Sequence, residues 1–248
     1  MNQKGFLLGV LGGLGPMSTF YFCELLTSHT QATRDSDHLD MIISSRASTP
    51  DRTAFILGES ADDPLPIMIS EAQKLTRAGA DLIVIPCNTA HYFYNGLKNA
   101  IATPTLNIIE ETLSQLARMG VKRFGLLATE GTVKSEAYAN LALNFDLECV
   151  VPTEEEQAEI TSIIYDEIKQ NKPVDMRRFL AVADALKARG CERLVLGCTE
   201  LSLLMRQGLD RAVFMDSLEV LAYQTILSAQ KTPIGFPTDF TPKTEGEA

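Results

Sequence analysis

The sequence predicts an α/β protein built from two similar three-layer domains, each with a mostly parallel sheet. We expect a pseudo-twofold axis to relate the domains and the active site to lie in the cleft between them. Two observations carry this prediction: short apolar runs of strand length alternate with stretches of helical periodicity, and a segment near residue 80 recurs near residue 190. A chain of 248 residues is long enough for two such domains, each with its own core.

The first half of the chain contains three apolar runs of strand length. They lie at residues 6–11, 41–44 and 82–86. A glycine-rich turn at 12–16 follows the first run, and the third run stops at Cys87. Apolar residues at helical spacing predict helices after the first two runs, namely Met17, Phe20, Tyr21 and Leu25, then Met68, Ala72 and Leu75.

The second half repeats this order of elements. Strands are predicted over residues 124–128 and 194–197, and the second of these stops at Cys198. Helical spacing predicts two helices between them, marked by Ile160, Ile163, Ile164 and Ile168, then by Met176, Phe179, Leu180, Ala183 and Leu186.

An internal repeat links the two halves. Residues 79–87 align with residues 190–198 at a constant offset of 111, and Cys87 falls on Cys198. Apolar strands with a glycine before them are common in α/β proteins. A matched cysteine at the end of each matched strand is not, so this pair is the more informative part of the repeat.

The repeat also predicts the domain boundaries. The first domain is expected to comprise residues 1–103 together with a returning C-terminal helix within 217–230, and the second domain residues 104–216. Residues 231–248 carry proline, glycine, threonine and charges without periodicity, so we expect a flexible tail.

Composition excludes several classes of protein. The formal net charge of −10 argues against general nucleic-acid binding, and the apolar runs are far too short to span a bilayer. The N-terminal residues lack the pattern of a secretory signal, which predicts a cytoplasmic protein. The five cysteines show no disulfide framework, zinc spacing or CxxC pair, so no metal site is expected.

Cys87 and Cys198 are the candidate chemical groups. Ligands of parallel α/β sheets bind beyond the carboxyl ends of strands, where both cysteines are predicted to lie. A following helix N-terminus is expected to lower a thiol pKa. Two thiols on opposite sides of one cleft suit the inversion of a carbon centre, since one removes a proton from one face and the other returns a proton to the opposite face. The simpler interpretation of each cysteine is a packed core residue.

Inversion at a weakly acidic carbon also requires hydrogen-bond donors for the charge that develops. Backbone amides after the two strands, with the side chains of Asn88, Thr89 and Thr199, are suitable donors for an α-carboxylate. The glycine turn is expected to bring the backbone at Gly12 to a small carboxylate.

Five short motifs resemble the aspartate/glutamate racemase family, specifically its aspartate racemase branch. They are GGLGP at residues 12–16, PDRT at 50–53, PCNTAH at 86–91, PTE at 152–154 and GCTE at 197–200. The resemblance implies an amino-acid racemase that needs no pyridoxal phosphate or other cofactor, has two α/β domains and forms a homodimer. It also implies that Cys87 and Cys198 are the catalytic pair.

The resemblance extends to substrate contacts. It implies that Arg52 and Lys169 bind substrate carboxylates, although Arg52 in a surface ion pair and Lys169 as a solvated helix charge are alternatives. Ser45 and Thr129 complete the expected substrate-binding set. The family usually carries asparagines before Pro50, whereas residues 44–48 read SSRAS here, so aspartate is the first expectation and glutamate or a broader range stays open.

Two further side chains have alternative interpretations. His91 lies one helical turn after Cys87 and either tunes that thiol or caps a helix in the core. Glu200 either orients a donor or stabilises a helix N-terminus.

Other functions remain open from the residues alone. Related isomerases and decarboxylases, such as those resembling maleate isomerase, arylmalonate decarboxylase or hydantoin racemase, share the scaffold. A non-catalytic protein that binds small dicarboxylates is the alternative from a different class. Retention of both cysteines argues against it, because binding alone requires no thiol.

Overall fold

A computed structural model describes residues 5–240, which contain seven strands in two parallel sheets. The first sheet has the order β2-β1-β3 and the second β5-β4-β6-β7. The strands are β1 (Leu7–Gly12), β2 (Asp40–Ser45), β3 (Leu82–Val84), β4 (Arg123–Leu127), β5 (Glu148–Val150), β6 (Arg193–Leu196) and β7 (Phe214–Asp216).

Ten α-helices connect and cover these strands within the described residues. They are α1 (Pro16–Ser28), α2 (Arg52–Ile56), α3 (Leu65–Arg77), α4 (Tyr94–Ala100), α5 (Ile108–Arg118), α6 (Glu130–Lys134), α7 (Ala137–Ala142), α8 (Glu154–Ser162), α9 (Met176–Ala188) and α10 (Ser217–Ser228). A π-helical turn, Ile163–Ile168, continues α8. The predicted α/β fold with mostly parallel sheets is therefore confirmed.

The repeat seen in the sequence corresponds to equivalent strands. β1 lies between β2 and β3 in the first sheet, as β4 lies between β5 and β6 in the second. Every residue of β3 is buried, and only the first residue of β6 is partly exposed, as expected for parallel strands covered on both faces. β7 has no counterpart in the first sheet.

The hydrophobic core is shared between the two sheets. Its largest cluster joins Val10 of β1 and Leu126 of β4 to buried side chains of α1, α5 and α10. Two smaller clusters belong to one half each, one around α3 and the other around α9. The two halves were expected to have separate cores. They instead share the largest cluster, and only the two smaller clusters are confined to one half each.

The C-terminal helix α10 occupies this shared core. It packs against α1 of the first half and more extensively against α5 of the second half, so the expected return to the first half describes only part of its packing. Asp216 caps its N-terminus by accepting a hydrogen bond from the Leu218 amide at 2.9 Å.

Residues 231–240 differ from the expected flexible tail. The Gln31 amide donates to the Thr232 carbonyl at 2.9 Å, and Phe240 is only 4% exposed. Tyr223 of α10 packs edge-to-face against both Phe236 and Phe240. These aromatic contacts hold residues 231–240 against α10, which the lack of periodicity in the sequence did not indicate. Residues 241–248 lie outside the described part of the chain. Within residues 5–240 no helix is long and apolar enough to cross a membrane.

Candidate active site

Cys87 and Cys198 line the same cavity, beyond the carboxyl ends of β3 and β6. The cavity has a volume of about 10 Å³, which is room for about one water molecule. Both cysteines are buried. The other lining residues are Leu14, Asp51, Arg52, Thr53, Asn88, Thr89, Thr129, Tyr165, Lys169, Thr199 and Glu200.

The chain turns more tightly after each cysteine than the sequence suggested. Thr89–Phe93 and Leu201–Gln207 are 3₁₀ helices rather than α-helices. Such turns have poorer hydrogen-bond geometry than α-helices. The expected α-helical N-terminus facing each thiol is therefore not present.

The thiol pKa values move in the direction opposite to the expectation. Burial raises the pKa of Cys87, and the charge of Arg52 opposes this shift in part. Burial and the negative charge of Glu200 raise the pKa of Cys198 well above its ordinary value, against the opposing charge of Lys169. Desolvation outweighs the nearby cations because the cavity is nearly closed.

A carboxylate joins the second cysteine to a lysine. Glu200 accepts a hydrogen bond from Cys198 Sγ at 3.1 Å through Oε2 and pairs with Lys169 Nζ at 2.9 Å through Oε1. Burial works against the charge on Lys169, but Glu200, Cys198 and Tyr165 together outweigh this effect, so the pKa of Lys169 is raised. Glu200 thus contacts both Cys198 and Lys169. The two roles expected for Glu200, orienting a donor or stabilising a helix N-terminus, did not include these contacts.

Arg52 reaches the cavity from the start of α2 and is 9% exposed. It donates through Nη1 to the Pro50 carbonyl and through Nη2 to the Leu14 carbonyl, both at 3.0 Å. Its Nε is buried without a hydrogen-bond partner among the described residues. A buried unpaired donor of this kind is costly unless a ligand fills the position, so the geometry fits the implied role of Arg52 as an anion contact.

Polar side chains hold the wall beside Cys87. Asn88 donates to Ser217 Oγ at 2.9 Å and accepts from the Tyr138 hydroxyl at 2.6 Å. Both ends of the Asn88 amide are therefore used by the protein itself, which makes Asn88 a scaffold of the wall in this closed site.

Three threonine hydroxyls form a triangle at the junction of the two halves. Thr89 Oγ1 lies 2.9 Å from those of Thr129 and Thr132. Thr129 also caps α6. On the other side, the Thr199 hydroxyl donates to the Pro86 carbonyl at 3.2 Å. These contacts cross between the two sheets' carboxyl ends and bring the two cysteine segments together.

Two residues of the expected substrate-binding set do not line the cavity. Ser45 is exposed at the end of β2. Gly12 is buried, and a side chain there would collide with Thr19, so its lack of a Cβ serves the packing of β1 against α1. The carboxylate that lies beside the glycine turn is Glu200, since a Cβ at Gly15 would be 2.6 Å from Glu200 Oε1.

Several lining residues were not expected from the sequence. Tyr165 lies four residues before Lys169, and the ammonium sits 5.3 Å from the Tyr165 ring centroid. Burial raises the pKa of Tyr165 to about 12. A helical spacing of four from Lys169 was the signal available for Tyr165, and the PDRT motif itself contained Asp51 and Thr53. Leu14 had no signal beyond its place in the glycine turn.

The structure also places His91 and Arg46. His91 Nδ1 donates to the Cys87 carbonyl at 2.8 Å, and Nε2 accepts from the Ile108 amide at 3.2 Å. His91 therefore bridges the Cys87 turn and the start of α5, as the capping interpretation expected. Arg46 pairs with Glu71 at 3.4 Å, outside the cavity.

Comparisons with known proteins identify relatives of this chain. A sequence profile described as Asp/Glu/Hydantoin racemase matches residues 11–225. The chain is 29% identical over 230 residues to the broad specificity amino-acid racemase RacX of Bacillus subtilis, an alignment that covers 89% of this chain and 96% of that protein.

Solved structures show the same fold. The aspartate racemase of Picrophilus torridus superposes with a TM-score of 0.82 at 28% identity, covering 95% of this chain and 98% of the other. An aspartate racemase homologue from Pyrococcus horikoshii superposes with a TM-score of 0.73 at 26% identity, covering 92% of this chain and 100% of the other.

Proposed function

Since this chain belongs to the Asp/Glu/hydantoin racemase family, we propose that it interconverts the enantiomers of an amino acid by proton transfer between Cα and two thiols, Cys87 and Cys198. The observation that carries the proposal is that both sulfurs border one cavity at the carboxyl ends of matched strands. The small volume of that cavity means that the two halves must separate to admit a substrate.

The reaction divides into two proton transfers. The thiolate of one cysteine takes the α-proton, and the electron pair left on Cα delocalises into the α-carboxylate. The thiol of the other cysteine then delivers its proton to the opposite face of Cα, which inverts the centre and leaves that sulfur as the thiolate. In the reverse direction the two cysteines exchange roles.

Arg52 is the group best placed to stabilise the charged intermediate. Its Nε is a donor with no hydrogen-bond partner among residues 5–240. One donor aimed at a developing oxyanion is typically worth roughly 3–4 kcal/mol. The proton transfers are assigned to the thiols, so we expect activity without added pyridoxal phosphate.

We propose aspartate as the first substrate to test. Arg52 and Lys169 both line the cavity, so two carboxylates have cationic partners available. Glutamate and a broader range of amino acids are the alternatives, because RacX, which is 29% identical to this chain, is described as a broad specificity amino-acid racemase. The pairing of Lys169 with Glu200 means that a second substrate carboxylate must compete for that cation.

We further propose that residues 1–103 with 217–230 and residues 104–216 act as the two units that open and close. We also propose that the protein is a homodimer, as the family resemblance implies, and that it is cytoplasmic, as its N-terminal sequence predicts. Sedimentation of the purified protein tests the dimer, and a monomer that retains full activity would contradict it.

The central experiment follows purified protein with L- and D-aspartate in D₂O. Circular dichroism should show loss of optical activity, and NMR should show deuterium entering Cα. Cys87→Ser and Cys198→Ser should each abolish racemisation, whereas Cys23→Ser, outside the cavity, is the matched control. A Cys87→Ala/Cys198→Ala double variant that racemises at the wild-type rate would refute the proposal.

A panel of amino acids in the same assay separates the substrate from the reaction. Turnover of aspartate alone supports the narrow specificity, and turnover of neutral amino acids supports the broad one. Deuterium entry at Cα with either result supports proton transfer at that carbon, and the cysteine variants assign the transfer to the two thiols.

A further inference from the structure

We propose that Glu200 is a positioning residue that holds a proton on Cys198 in the substrate-free enzyme, so that Cys198 is the resting acid and Cys87 the resting base. This inference rests on the proposed two-thiol reaction. It assigns unequal starting roles to two cysteines that the internal repeat makes formally equivalent.

The hydrogen bond between Cys198 and Glu200 determines which of the two groups carries the proton. Glu200 Oε2 lies 3.1 Å from Cys198 Sγ, and its Oε1 is paired with Lys169 at 2.9 Å. An ionised carboxylate can only accept hydrogen bonds, so the sulfur must be the donor and carry the hydrogen. Glu200 is 6% exposed, and in such surroundings a thiolate beside this carboxylate would be strongly disfavoured.

The protein leaves little freedom to the Glu200 side chain. Lys169 holds one carboxylate oxygen, and Gly15 at the start of α1 lies directly beside it. A Cβ at position 15 would come within 2.6 Å of Oε1, so glycine there provides the space that the carboxylate occupies. Groups from both halves of the chain therefore fix Glu200 next to Cys198.

Cys87 has no equivalent carboxylate. The repeat offset of 111 places Thr89 over Glu200, and the Thr89 hydroxyl is engaged with Thr129 and Thr132. Burial raises the pKa of Cys87 too, but the charge of Arg52 and a backbone hydrogen bond from Ala90 oppose this shift. The two sulfurs thus differ in their direct contacts: Cys198 donates a hydrogen bond to a carboxylate, whereas no carboxylate among residues 5–240 accepts one from Cys87.

This asymmetry has a consequence for the catalytic cycle. The resting enzyme takes the α-proton from the enantiomer whose hydrogen faces Cys87, and the proton of Cys198 passes to the other face of Cα. After product release Cys87 is a thiol and Cys198 a thiolate. Proton exchange with solvent then restores the resting form, which Glu200 favours.

Alkylation by iodoacetamide tests the proposal without relying on racemisation. Mass spectrometry of the substrate-free enzyme at several pH values should show Cys87 modified ~tenfold or more faster than Cys198, because thiolates are the reactive species. Opening of the cavity affects both sulfurs, so the ratio of the two rates within one sample is the quantity to measure.

Variants of Glu200 should move this ratio. Glu200→Gln removes the negative charge and leaves Lys169 near Cys198, so alkylation of Cys198 should accelerate and its pH dependence should shift to lower pH. Glu200→Asp should restore part of the bias, and the exposed Glu154→Gln is the charge-matched control. Gly15→Ala displaces the carboxylate without changing its charge and should act in the same direction as Glu200→Gln.

The outcomes distinguish this proposal from the proposed function. An unchanged ratio in both Glu200→Gln and Gly15→Ala, or faster alkylation of Cys198 than of Cys87 in the wild type, would overturn the role of Glu200 even if the enzyme racemises aspartate. The expected ratios in a protein without racemase activity would leave that role standing and refute the function instead. Thermal melting of each variant shows whether it folds. If either Glu200→Gln or Gly15→Ala fails to fold, the alkylation ratio of the other variant decides whether Glu200 has the proposed role.

Discussion

Arg52 shows how a single side chain is prepared for a ligand. Backbone carbonyls hold both of its terminal nitrogens, its Nε has no protein partner, and no carboxylate among residues 5–240 forms an ion pair with it. A guanidinium held in this way is oriented before the substrate arrives, so little further ordering is needed when the anion binds.

Replacing Arg52 by lysine should therefore impair binding although the charge is kept. Lysine lacks the planar fork that reaches the carbonyls of Pro50 and Leu14. We expect KM for the amino acid to rise by about tenfold or more, measured as initial rates of racemisation. Arg46→Lys, whose guanidinium pairs with Glu71 outside the cavity, is the control, and an equal rise in that variant would contradict the assignment.

His91 should make the stability of the protein depend on pH. Burial lowers its pKa to about 4 from an ordinary value of 6.5. The unfolded chain therefore takes up a proton at His91 below about pH 6.5, whereas the folded chain does so only near pH 4. The free energy of unfolding should fall across that interval by up to roughly 3 kcal/mol from this residue.

Chemical denaturation of wild type and His91→Gln between pH 7 and pH 4 measures this effect. Asp216 must be considered because burial and Glu219 raise the pKa of its carboxyl, which destabilises the fold as pH rises and so opposes the His91 effect. The difference between wild type and His91→Gln isolates the histidine. Parallel curves for the two proteins would show that His91 is not the responsible group.

The contact between Glu200 and Lys169 could not be predicted from the sequence. The GCTE motif identified Cys198 and Thr199, but nothing near Glu200 in the chain indicated Lys169 as its partner. That contact joins residues 31 positions apart, and Lys169 directly follows the π-helical turn Ile163–Ile168. Periodicity predicts which residues share a helical face and carries no signal for such a turn.

Strands and helices were the easiest elements to predict, because apolar runs and helical spacing report burial directly. The short connections after the cysteines were harder to predict, because the same polar residues can begin either an α-helix or a 3₁₀ helix. The expectation of lowered thiol pKa values depended on this distinction and on solvent access, and neither is encoded by spacing.

The C-terminal segment was also mispredicted, and its anchoring can be tested. Phe240→Ala removes a buried ring that packs on Tyr223, and we expect a loss of about 3–5 kcal/mol in the free energy of unfolding. Ile234→Ala, in the same segment, is the control because Ile234 is 44% exposed. Equal stability of the two variants in urea titration would show that the aromatic cluster contributes little.

At the scale of the whole molecule, the cavity of about 10 Å³ is too small for an amino acid. The proposed function therefore requires the two halves to part and then close around the substrate. Gly131 of α6 marks how closely they approach, because a Cβ there would lie 2.8 Å from the Thr53 Cα at the start of α2.

Gly131→Ala should obstruct this closure. Alanine is a better helix former than glycine, so α6 should remain folded while its methyl group separates α6 from α2. Because small displacements of reacting groups are costly, we expect kcat to fall by about tenfold or more. Racemisation rates and thermal melting measure the two effects, with the exposed Lys134→Ala on the same helix as the control; undiminished kcat in Gly131→Ala would mean that closure tolerates the methyl.

The position of α10 has a practical consequence for dissecting this chain. A gene fragment ending at residue 103 would encode three strands and their outer helices, yet would lack the last helix, whose Leu218, Leu221 and Ile226 are fully buried in the shared core. Such a fragment would expose the inner faces of β1 and β3 to water. Supplying 217–230 as a separate peptide, or fusing it after residue 103 through a linker, is therefore the minimum needed to ask whether this half folds alone.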